Sequence, residues 1–521
     1  MTSFELERRR VLAEAGAAGE VLDELLAYNE NQFDAARFEG LTFPLVDEPH
    51  IEAWREYAAD AATRGFTTAV GERLPQLRFA IADGVSREQD YIAATRRGVI
   101  SDAAPFLSLV SPDTVRLMIH QTIAGALPVI LAGERRDFED LVRAFSCRNE
   151  PDDVPDSMGA CIVTGLNNWD RIRTYRKNWE TAHPDATEAQ WKEEFSRVVP
   201  RKELYQDRFL ILSSGPYSAV PAEAAGFPTD EWQEKSVRIR LEHECTHYFT
   251  YRVLGSMRNN LLDEIIADYV GLMKVFGAYR EDLALLFFGL ESAGEYRSGG
   301  RLENYRGTPR LGDDAFAILQ SLVRAAIVNI AEVERRLPAD SSDPGGFAHR
   351  IVAYASSSLE ILASSAEVVH SLVSTDRVAG ADRIDLVIHD EPGLQRAIEE
   401  FRSFAGRHRL PIKSVSDVCI VLDELLSNVI KYGFKVNRGQ IELSLSLSGD
   451  ELTAAIVDDS PPFNVLEAPE PQTGLPAADR PVGGLGIHIV KQLSDEIRYS
   501  RSDGQNHLFI RKRVKGESSR A

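Results

Sequence analysis

The chain has 521 residues, of which 44% are hydrophobic and 27% are charged, so it can bury a large core in about two or three domains. Its formal net charge of −21 disfavours generic binding to nucleic acid or to an anionic membrane, because both need a basic surface. Four scattered cysteines form neither a disulfide framework nor a CxxC metal pair, and no apolar run approaches the roughly eighteen residues that span a bilayer. The composition therefore predicts a cytoplasmic protein without a signal peptide.

The first 375 residues are predicted to be mostly helical, without an internal repeat. A strand is predicted over residues 208–218, just before a helix at about 230–255. That helix has an acidic start at Asp230 and Glu231 and a terminating Gly255, with apolar residues at helical spacing between them. A second helix, almost wholly apolar, is predicted at about 260–277.

The sequence RLEHECTHYF places His243, Glu244 and His247 in the first of these helices. Residues four apart share one face of a helix, so the two imidazoles can point at one metal ion. Glu244 lies beside that face, where it can act as a general base on a water molecule. The pattern is typical of zinc sites that take two nitrogen ligands and a base from one rigid turn.

The second helix carries Glu264 and Asp268 on one face of an otherwise apolar segment. Carboxylates are costly to bury unless positive charge meets them. A metal site supplies that charge, with Glu264 as the third ligand and Asp268 holding one ligand histidine by its other ring nitrogen. The alternative is a pair of core helices whose polar groups satisfy one another.

Together these residues resemble the gluzincin, or thermolysin-like, metallopeptidases, whose pattern is HExxH followed on a later helix by ExxxD. The resemblance covers about forty residues. It implies zinc held by His243, His247 and Glu264, Glu244 as the catalytic base, and Asp268 behind the ligands.

Such enzymes also use a Tyr or His to stabilise the oxyanion, and Tyr217 and Tyr279 are the candidates here. They place an edge strand that pairs with substrate before the metal helix. The segment 208–218 could be that edge strand, but an ordinary core strand is the favoured interpretation.

Two long amphipathic helices follow, over residues 314–337 and 347–373. They either finish the first domain or form a dimerising connector. Small and charged residues then interrupt the pattern at 374–383, and an alternating strand begins at Ile384. The domain boundary is predicted there.

The segment LDELLSNVIKYGF, residues 422–434, is an amphipathic helix with Glu424 and Asn428 on one face and Lys431 and Tyr432 one turn further on. Carboxylate and amide oxygens suit magnesium, which takes much of its remaining shell from water and phosphates. A lysine suits phosphate charge, and an aromatic ring can stack on a purine. Together these residues indicate a nucleotide site.

Two period-two strands around Gly449–Asp450 then deliver Asp458 to a loop. A proline-rich stretch at 467–481 precedes Gly483, Gly484 and Gly486 at the start of a helix. Glycines at a helix N-terminus let backbone N–H groups approach a phosphate.

This order of residues resembles the GHKL ATPase superfamily, in particular its anti-sigma-factor serine/threonine kinase branch in bacteria. The resemblance implies that Glu424 is the general base or water-orienting acid, that Asn428 is the magnesium ligand and that Asp458 accepts the adenine amino group. Lys431 would then contact phosphate and Tyr432 would flank the base.

In the same family, the three glycines, Gly483, Gly484 and Gly486, would form the phosphate-facing end of an ATP lid. One residue departs from the family pattern, because Ser460 stands where a glycine is usual. If that position needs a positive φ, serine is strained there and the loop sits differently.

The resemblances imply a multidomain protein. Residues 1–375 would form a mostly α-helical, metallopeptidase-like region, with metal helices at about 230–255 and 260–277 and connector helices at about 314–373. Residues 382–515 would form an α/β two-layer sandwich of the GHKL, or histidine kinase-like ATPase, fold, and residues 516–521 a tail.

We therefore expect a cytoplasmic bacterial signalling or stress protein that binds zinc, magnesium and ATP and cleaves a protein or peptide under nucleotide control. One alternative is a partner-switching serine/threonine kinase that acts on a sigma factor or an anti-sigma antagonist and carries a non-catalytic metal-binding scaffold. A second is a histidine kinase, with His243 in a box that lacks the expected proline. Nucleic acid and membrane are not expected partners, and a homodimer is left open.

Overall fold

A computed structural model describes residues 3–38, 41–100, 106–257, 259–292, 295–337, 344–373, 383–408, 410–434, 439–448, 451–464, 466, 485–502 and 504–514. The chain divides into two compact units, Met1–Val373 and Ser374–Ala521. The predicted boundary at 374–383 and the predicted lid at 467–481 fall almost wholly outside the described residues, as does the turn at 449–450.

The helices of the first unit enclose two apolar cores, one of which surrounds the two predicted metal helices. In chain order they are α1 (Ser3–Glu14), α2 (Gly19–Tyr28), α3 (Ile51–Arg64), α4 (Phe66–Gly71), α5 (Gln89–Arg97), α6 (Arg135–Ser146), α7 (Trp169–Ala182), α8 (Glu188–Val198), α9 (Ala222–Ala225), α10 (Thr229–Leu254), α11 (Asn260–Phe276), α12 (Glu281–Phe288), α13 (Asp313–Arg336), α14 (Pro344–Ala355), α15 (Leu359–Ser364) and α16 (Ala366–Val373).

The first unit also contains a mixed four-stranded sheet in the order β1-β2-β4-β3. Its strands are β1 (Arg116–Thr122), β2 (Gly125–Ala132), β3 (Ala160–Asn167) and β4 (Gln206–Ser213). β4 pairs in parallel with β2 and antiparallel with β3, so the predicted strand at 208–218 is a core strand and not an edge strand. Its unbroken apolar run is typical of a strand covered on both faces.

The two sides of this sheet face different parts of the unit. Phe209 and Ile211 of β4 point into the core that contains α6, whereas Leu210 and Leu212 point into the core that contains α10 and α11. The alternation follows from the two-residue period of a strand. It places the metal helices on one face of the sheet and α6 on the other.

Helices α10 and α11 pack closely because α11 has a glycine at the crossing. A Cβ on Gly271 would lie 3.0 Å from the carbonyl oxygen of Ile239 and 3.7 Å from the backbone nitrogen of His243. A larger side chain would push the helices apart. The glycine therefore brings the acidic face of α11 against the histidine face of α10.

The predicted single helix at 347–373 is broken into α14, α15 and α16. The break after α14 falls at consecutive serines, and Ser358 caps α15 by accepting the N–H of Ile361 at 3.4 Å. Serine side chains compete with the helical backbone hydrogen bonds and favour caps. Helical periodicity alone did not reveal this break.

Helix α13, with 24 residues, is long and apolar enough by length and composition to cross a membrane. Half of its most apolar window is buried within the unit. A helix of this kind was not expected from the sequence, because charged residues such as Arg324 interrupt its apolar residues. A core helix of a folded domain has the same properties.

The second unit contains a five-stranded antiparallel sheet in the order β5-β6-β7-β9-β8, and three helices of its described part pack against it. Its elements are β5 (Arg383–Ile388), α17 (Glu391–Arg407), α18 (Ile412–Asn428), β6 (Ile441–Ser448), β7 (Glu451–Asp458), α19 (Leu485–Leu493), β8 (Glu496–Ser502) and β9 (Gln505–Arg513). Strand β7 alternates between half-buried and buried residues, as expected when one sheet face packs on helices.

Candidate functional site

The two histidines of α10 and the first acid of α11 converge on one point. The Nε2 atoms of His243 and His247 lie 3.1 Å apart. The carboxylate of Glu264 lies 3.4 Å from the first of these nitrogens and 3.7 Å from the second. The three residues form the group of possible metal ligands found within the described part of the chain.

These distances fit a zinc ion. A tetrahedral zinc with bonds of about 2.0–2.2 Å to nitrogen and oxygen separates its ligand atoms by about 3.3 Å. The three observed separations bracket that value. The donor set of two imidazoles and one carboxylate also suits zinc and leaves a fourth position open, as in catalytic sites.

Each ligand histidine is held from behind by a buried carboxylate. Asp268 Oδ1 lies 2.9 Å from Nδ1 of His243, as the sequence predicts. Asp263 Oδ2 lies 2.8 Å from Nδ1 of His247, and the sequence analysis missed this residue. The signal was available, because Asp263 is a further acid on the same apolar helix and is only 2% exposed. Such partners fix ring orientation and leave both Nε2 atoms free for a metal.

Tyr217 belongs to this outer layer and does not face the open side of the site. Its buried hydroxyl lies 2.8 Å from Nδ1 of His243 and donates to Asp268. Arg301 donates to the same hydroxyl at 2.9 Å and to the Asp268 carboxylate. Tyr279 packs its ring on another tyrosine, and its buried hydroxyl has no hydrogen-bond partner among the residues that the structure describes. Neither candidate is therefore placed to stabilise an oxyanion.

Tyr305 is a further residue that the sequence analysis missed. Its hydroxyl donates to Oε2 of Glu264 at 2.7 Å. It lies 41 positions from its partner in the chain, so no local pattern could have identified it. A tyrosine at this place fixes the carboxylate that faces the two histidines.

The buried cluster carries a net negative charge when its histidines are neutral. Asp263, Glu264 and Asp268 are three carboxylates, and Arg301 is one guanidinium, which leaves two negative charges if the histidines are neutral. Burial is the largest influence on the pKa of His247 and lowers it, but the charge and hydrogen bond of Asp263, together with the charges of Glu264 and Glu244, outweigh burial and raise the pKa to about 10. Protons on the histidines or one divalent ion can balance the cluster, so they compete for the same place.

Glu244 is half-buried on the neighbouring position of α10. Within the described ranges its carboxylate makes no hydrogen bond, so it is available to accept a proton. His243, by contrast, is only 5% exposed and is enclosed by carboxylates. That burial disfavours the histidine kinase alternative, because a phosphoacceptor has to meet a nucleotide.

The second unit contains a cavity of about 710 Å³ at one end of its sheet. The residues predicted for nucleotide binding line it together: Glu424, Asn428, Lys431, Tyr432, Asp458 and Gly486. A cavity of this volume accommodates a nucleotide. Gly483 and Gly484 lie outside the described residues.

Asp458 is oriented by a network that the sequence analysis missed. Its Oδ1 accepts the backbone N–H of Ser460 at 3.0 Å and the side-chain amide of Asn506 at 2.9 Å. In the part of the chain that the structure describes, Oδ2 makes no hydrogen bond and remains for a ligand. Asn506 could have been noticed as a polar residue on the buried face of β9, beside Leu508 and Ile510.

The Ser460 departure is accommodated by the same network. Nδ2 of Asn506 lies 3.2 Å from the carbonyl oxygen of Ser460 and 3.1 Å from its hydroxyl. Ser460 is absent from the non-glycine residues with positive φ, so its backbone is not strained. The loop therefore differs from a glycine loop without the expected cost.

Gly486 lets the start of α19 approach the predicted base. A Cβ on Gly486 would overlap Oε2 of Glu424. This is a close approach that only glycine permits. α18 ends at Asn428, and a wider π-type turn, Val429–Gly433, carries Lys431 and Tyr432. The predicted continuous helix over 422–434 therefore changes its winding at the pocket.

Comparison with known proteins assigns the two parts separately. Residues 10–366, more than half of the chain, match a family model described as "Family of unknown function (DUF7005)". Residues 389–512 match the "Histidine kinase-like ATPase domain" model. The second match supports ATP and magnesium as ligands of this unit. The first gives the gluzincin resemblance and zinc no support.

The serine/threonine-protein kinase BtrW of Bordetella bronchiseptica is 27% identical over 89 residues, which is 17% of this chain and 63% of that protein. The chain thus spans less than two thirds of the length of this relative. A crystal structure of the RsbU and RsbW domains of Rv1364c from Mycobacterium tuberculosis is 14% identical and has a TM-score of 0.19. It covers 25% of this chain and 32% of that one.

The similarity to a named kinase agrees with the ATPase-domain match over residues 389–512 and with the predicted GHKL resemblance. It supports the kinase-like alternative more than the peptidase interpretation. The chain belongs to the DUF7005 family and carries a histidine kinase-like ATPase domain after the DUF7005 region.

Proposed function

We propose that the second unit binds Mg·ATP and transfers the γ-phosphoryl group to a serine or threonine of a partner protein. The observation that carries this proposal is the convergence of Glu424, Asn428 and Asp458 on one cavity. The kinase named among the relatives supports the reaction type. A sigma factor or an anti-sigma antagonist is the proposed class of partner.

The chain's residues have distinct roles in this reaction. Oδ2 of Asp458 accepts a hydrogen bond from the amino group of adenine. Asn428 holds magnesium, which would neutralise phosphate charge when bound. Lys431 stabilises phosphate charge, and Tyr432 flanks the base. Glu424 accepts the proton of the attacking hydroxyl.

The test compares Glu424→Gln with Asp423→Asn by calorimetry and by phosphate transfer from labelled ATP. Glu424→Gln should bind Mg·ATP within about threefold of the wild type and lose transfer by about 100-fold or more, because it removes only the base. Asp423 is the adjacent, exposed residue on α18 and does not line the cavity, so its variant should behave as the wild type. Equal affinity of the wild type for ATP and GTP would contradict the role of Asp458.

A second function is favoured by the ligand cluster of the first unit. We infer that His243, His247 and Glu264 hold zinc, and that this site hydrolyses peptide bonds. Zinc would supply Lewis acidity towards water and the peptide carbonyl. Glu244 would take the proton of the attacking water and deliver it to the leaving amine.

Metal analysis and Glu244→Gln test this inference. The wild type should contain one zinc per chain, and the variant should keep the metal and lose peptide hydrolysis, because a base is removed and no ligand is. Glu234→Gln, at an exposed position of α10, is the matched control. A wild-type protein without stoichiometric metal would refute the inferred zinc site. Metal without Glu244-dependent hydrolysis would leave a metal-binding scaffold beside the kinase-like unit.

A further inference from the structure

A second cavity, of about 360 Å³, lies in the first unit away from the metal cluster. It is bordered by α5, by the loop that follows α6 and by the second half of β3. Its apolar floor includes Phe145 and Val163, which belong to the core on the α6 face of the sheet. The metal helices pack on the opposite face, so the two sites are separate.

Polar side chains with no internal partner line this cavity. Gln76 is only 6% exposed, yet among the described residues its amide group makes no hydrogen bond. The hydroxyl of Tyr91 likewise has no hydrogen-bond partner there, and its residue is 5% exposed. Buried polar groups in folded proteins are nearly always paired with protein, water or ligand. The buried amide oxygen of Gln76 therefore points to a polar molecule in the cavity, and Tyr91 lines the same cavity.

The charge at the cavity is positive, although the chain as a whole is strongly acidic. Arg96 and Arg148 both line it, and neither forms an ion pair within the described segments. No aspartate or glutamate is among the lining residues. The nearby carboxylate of Glu150 accepts the backbone N–H groups of Gly84 and Ser86 at 2.7 and 3.0 Å. Both arginines are exposed at the cavity, so their guanidinium groups are accessible to an anion.

Arg148 is held in place by unusual backbone geometry. Arg148 and Asn149 are consecutive non-glycine residues with φ values of 54° and 61°. Fully buried Asn149 fixes this turn by donating to the carbonyl oxygens of Gln76 and Phe79 at 3.0 and 3.1 Å. Left-handed backbone at such residues costs free energy and is concentrated at functional sites.

We propose that this cavity binds a small organic anion, a carboxylate or phosphate monoester on an apolar body. Arg148 and Arg96 hold the anionic group, because guanidinium groups pair well with both acids. Gln76 and Tyr91 donate hydrogen bonds to its polar atoms. The ring of Phe145 contacts the apolar body.

Tyr91 is a donor at any physiological pH, because burial raises the pKa of its hydroxyl to about 12. The cavity volume falls within the range of sites that bind small organic molecules. The site needs no residue of the metal cluster or of the nucleotide pocket, so it stands apart from both proposed activities.

The test uses benzoate and phenyl phosphate as anionic probes and benzyl alcohol as a neutral probe, with binding to the full chain followed by ligand-observed NMR. At least one anion should bind more tightly than the alcohol. Arg148→Gln and Arg96→Gln should each lower the affinity for that anion by about tenfold, which is the expected effect of losing one charge-assisted hydrogen bond. Arg97→Gln is the matched control, because Arg97 is exposed on α5 as Arg96 is but does not line the cavity.

Gln76→Leu tests the site without changing charge. Since its amide has no internal partner, the variant should unfold at the temperature of the wild type or above and bind the anion more weakly. Equal binding of benzyl alcohol and both anions would overturn the proposal. So would anion affinity that Arg148→Gln and Arg96→Gln leave unchanged, because such binding belongs to another site.

Discussion

Asn506→Ala should destabilise the second unit and weaken ATP binding. The 3% exposed side chain accepts hydrogen bonds from Arg501 at 2.6 Å and from Tyr499 at 2.8 Å, and its amide donates to Asp458 and to Ser460. Its amide has two protons, so about four hydrogen bonds are made at once. Two neutral bonds at about 1 kcal/mol and two to charged partners at about 2 kcal/mol amount to about 6 kcal/mol.

Water from the adjoining nucleotide pocket replaces part of what Asn506→Ala removes, so the expected loss in the free energy of unfolding is about 3 kcal/mol. The carboxylate of Asp458 keeps only the N–H of Ser460 as a support. ATP affinity should therefore fall by about tenfold, which corresponds to about 1.4 kcal/mol.

The assay is differential scanning calorimetry of the full chain with and without Mg·ATP, together with calorimetric titration of ATP. The transition that ATP shifts reports the second unit. All five tryptophans lie in the first unit, so tryptophan fluorescence gives an internal control that Asn506→Ala should leave unchanged. Gln505→Ala, the preceding residue on β9, is the matched control. The reasoning is refuted if Asn506→Ala and Gln505→Ala have the same unfolding temperature and the same affinity for ATP.

Three further predictions concern the two sites. Gly486→Ala places a Cβ against the carboxylate of Glu424. Phosphate transfer should therefore fall by about 100-fold, whereas ATP affinity should change by less than about threefold. Normal transfer in this variant would show that the close approach is unimportant. Asp263→Ala removes the carboxylate that supports His247, so it should weaken zinc binding by about 10- to 100-fold in chelator competition. Unchanged zinc affinity would show that Asp263 does not contribute to the site. Nucleotide and metal should also be coupled, so a metal-free double variant of the histidine ligands should bind ATP with an affinity changed by about 5- to 150-fold. Identical ATP affinities would leave two independent modules.

The candidate site was partly visible in the sequence. Helical spacing predicted that His243 and His247 share a face, and that Glu264 and Asp268 share another, because these relations depend only on local geometry. Tyr305 was not predictable, since its contact with Glu264 depends on how distant segments pack.

The fold was likewise predicted best where the pattern is local. The alternating strands of the second unit were expected and are present as β6 and β7. The sheet of the first unit was not foreseen, although the segment 208–218 was expected to be an ordinary core strand and is one. Sheet position depends on which strands pair, and the sequence of one strand does not state its neighbours.

The sequence by itself determined which residues could act as metal ligands, bases and phosphate contacts, because residue type and helical or strand period are local properties. Only the tertiary structure decided which of them meet. It brought Asp263 behind His247, placed Asn506 beside Asp458 and, within the described residues, gave the arginines of a second cavity no acidic partner. Hydrogen bonds, burial and charge balance act over a few ångströms in space, whatever the separation along the chain.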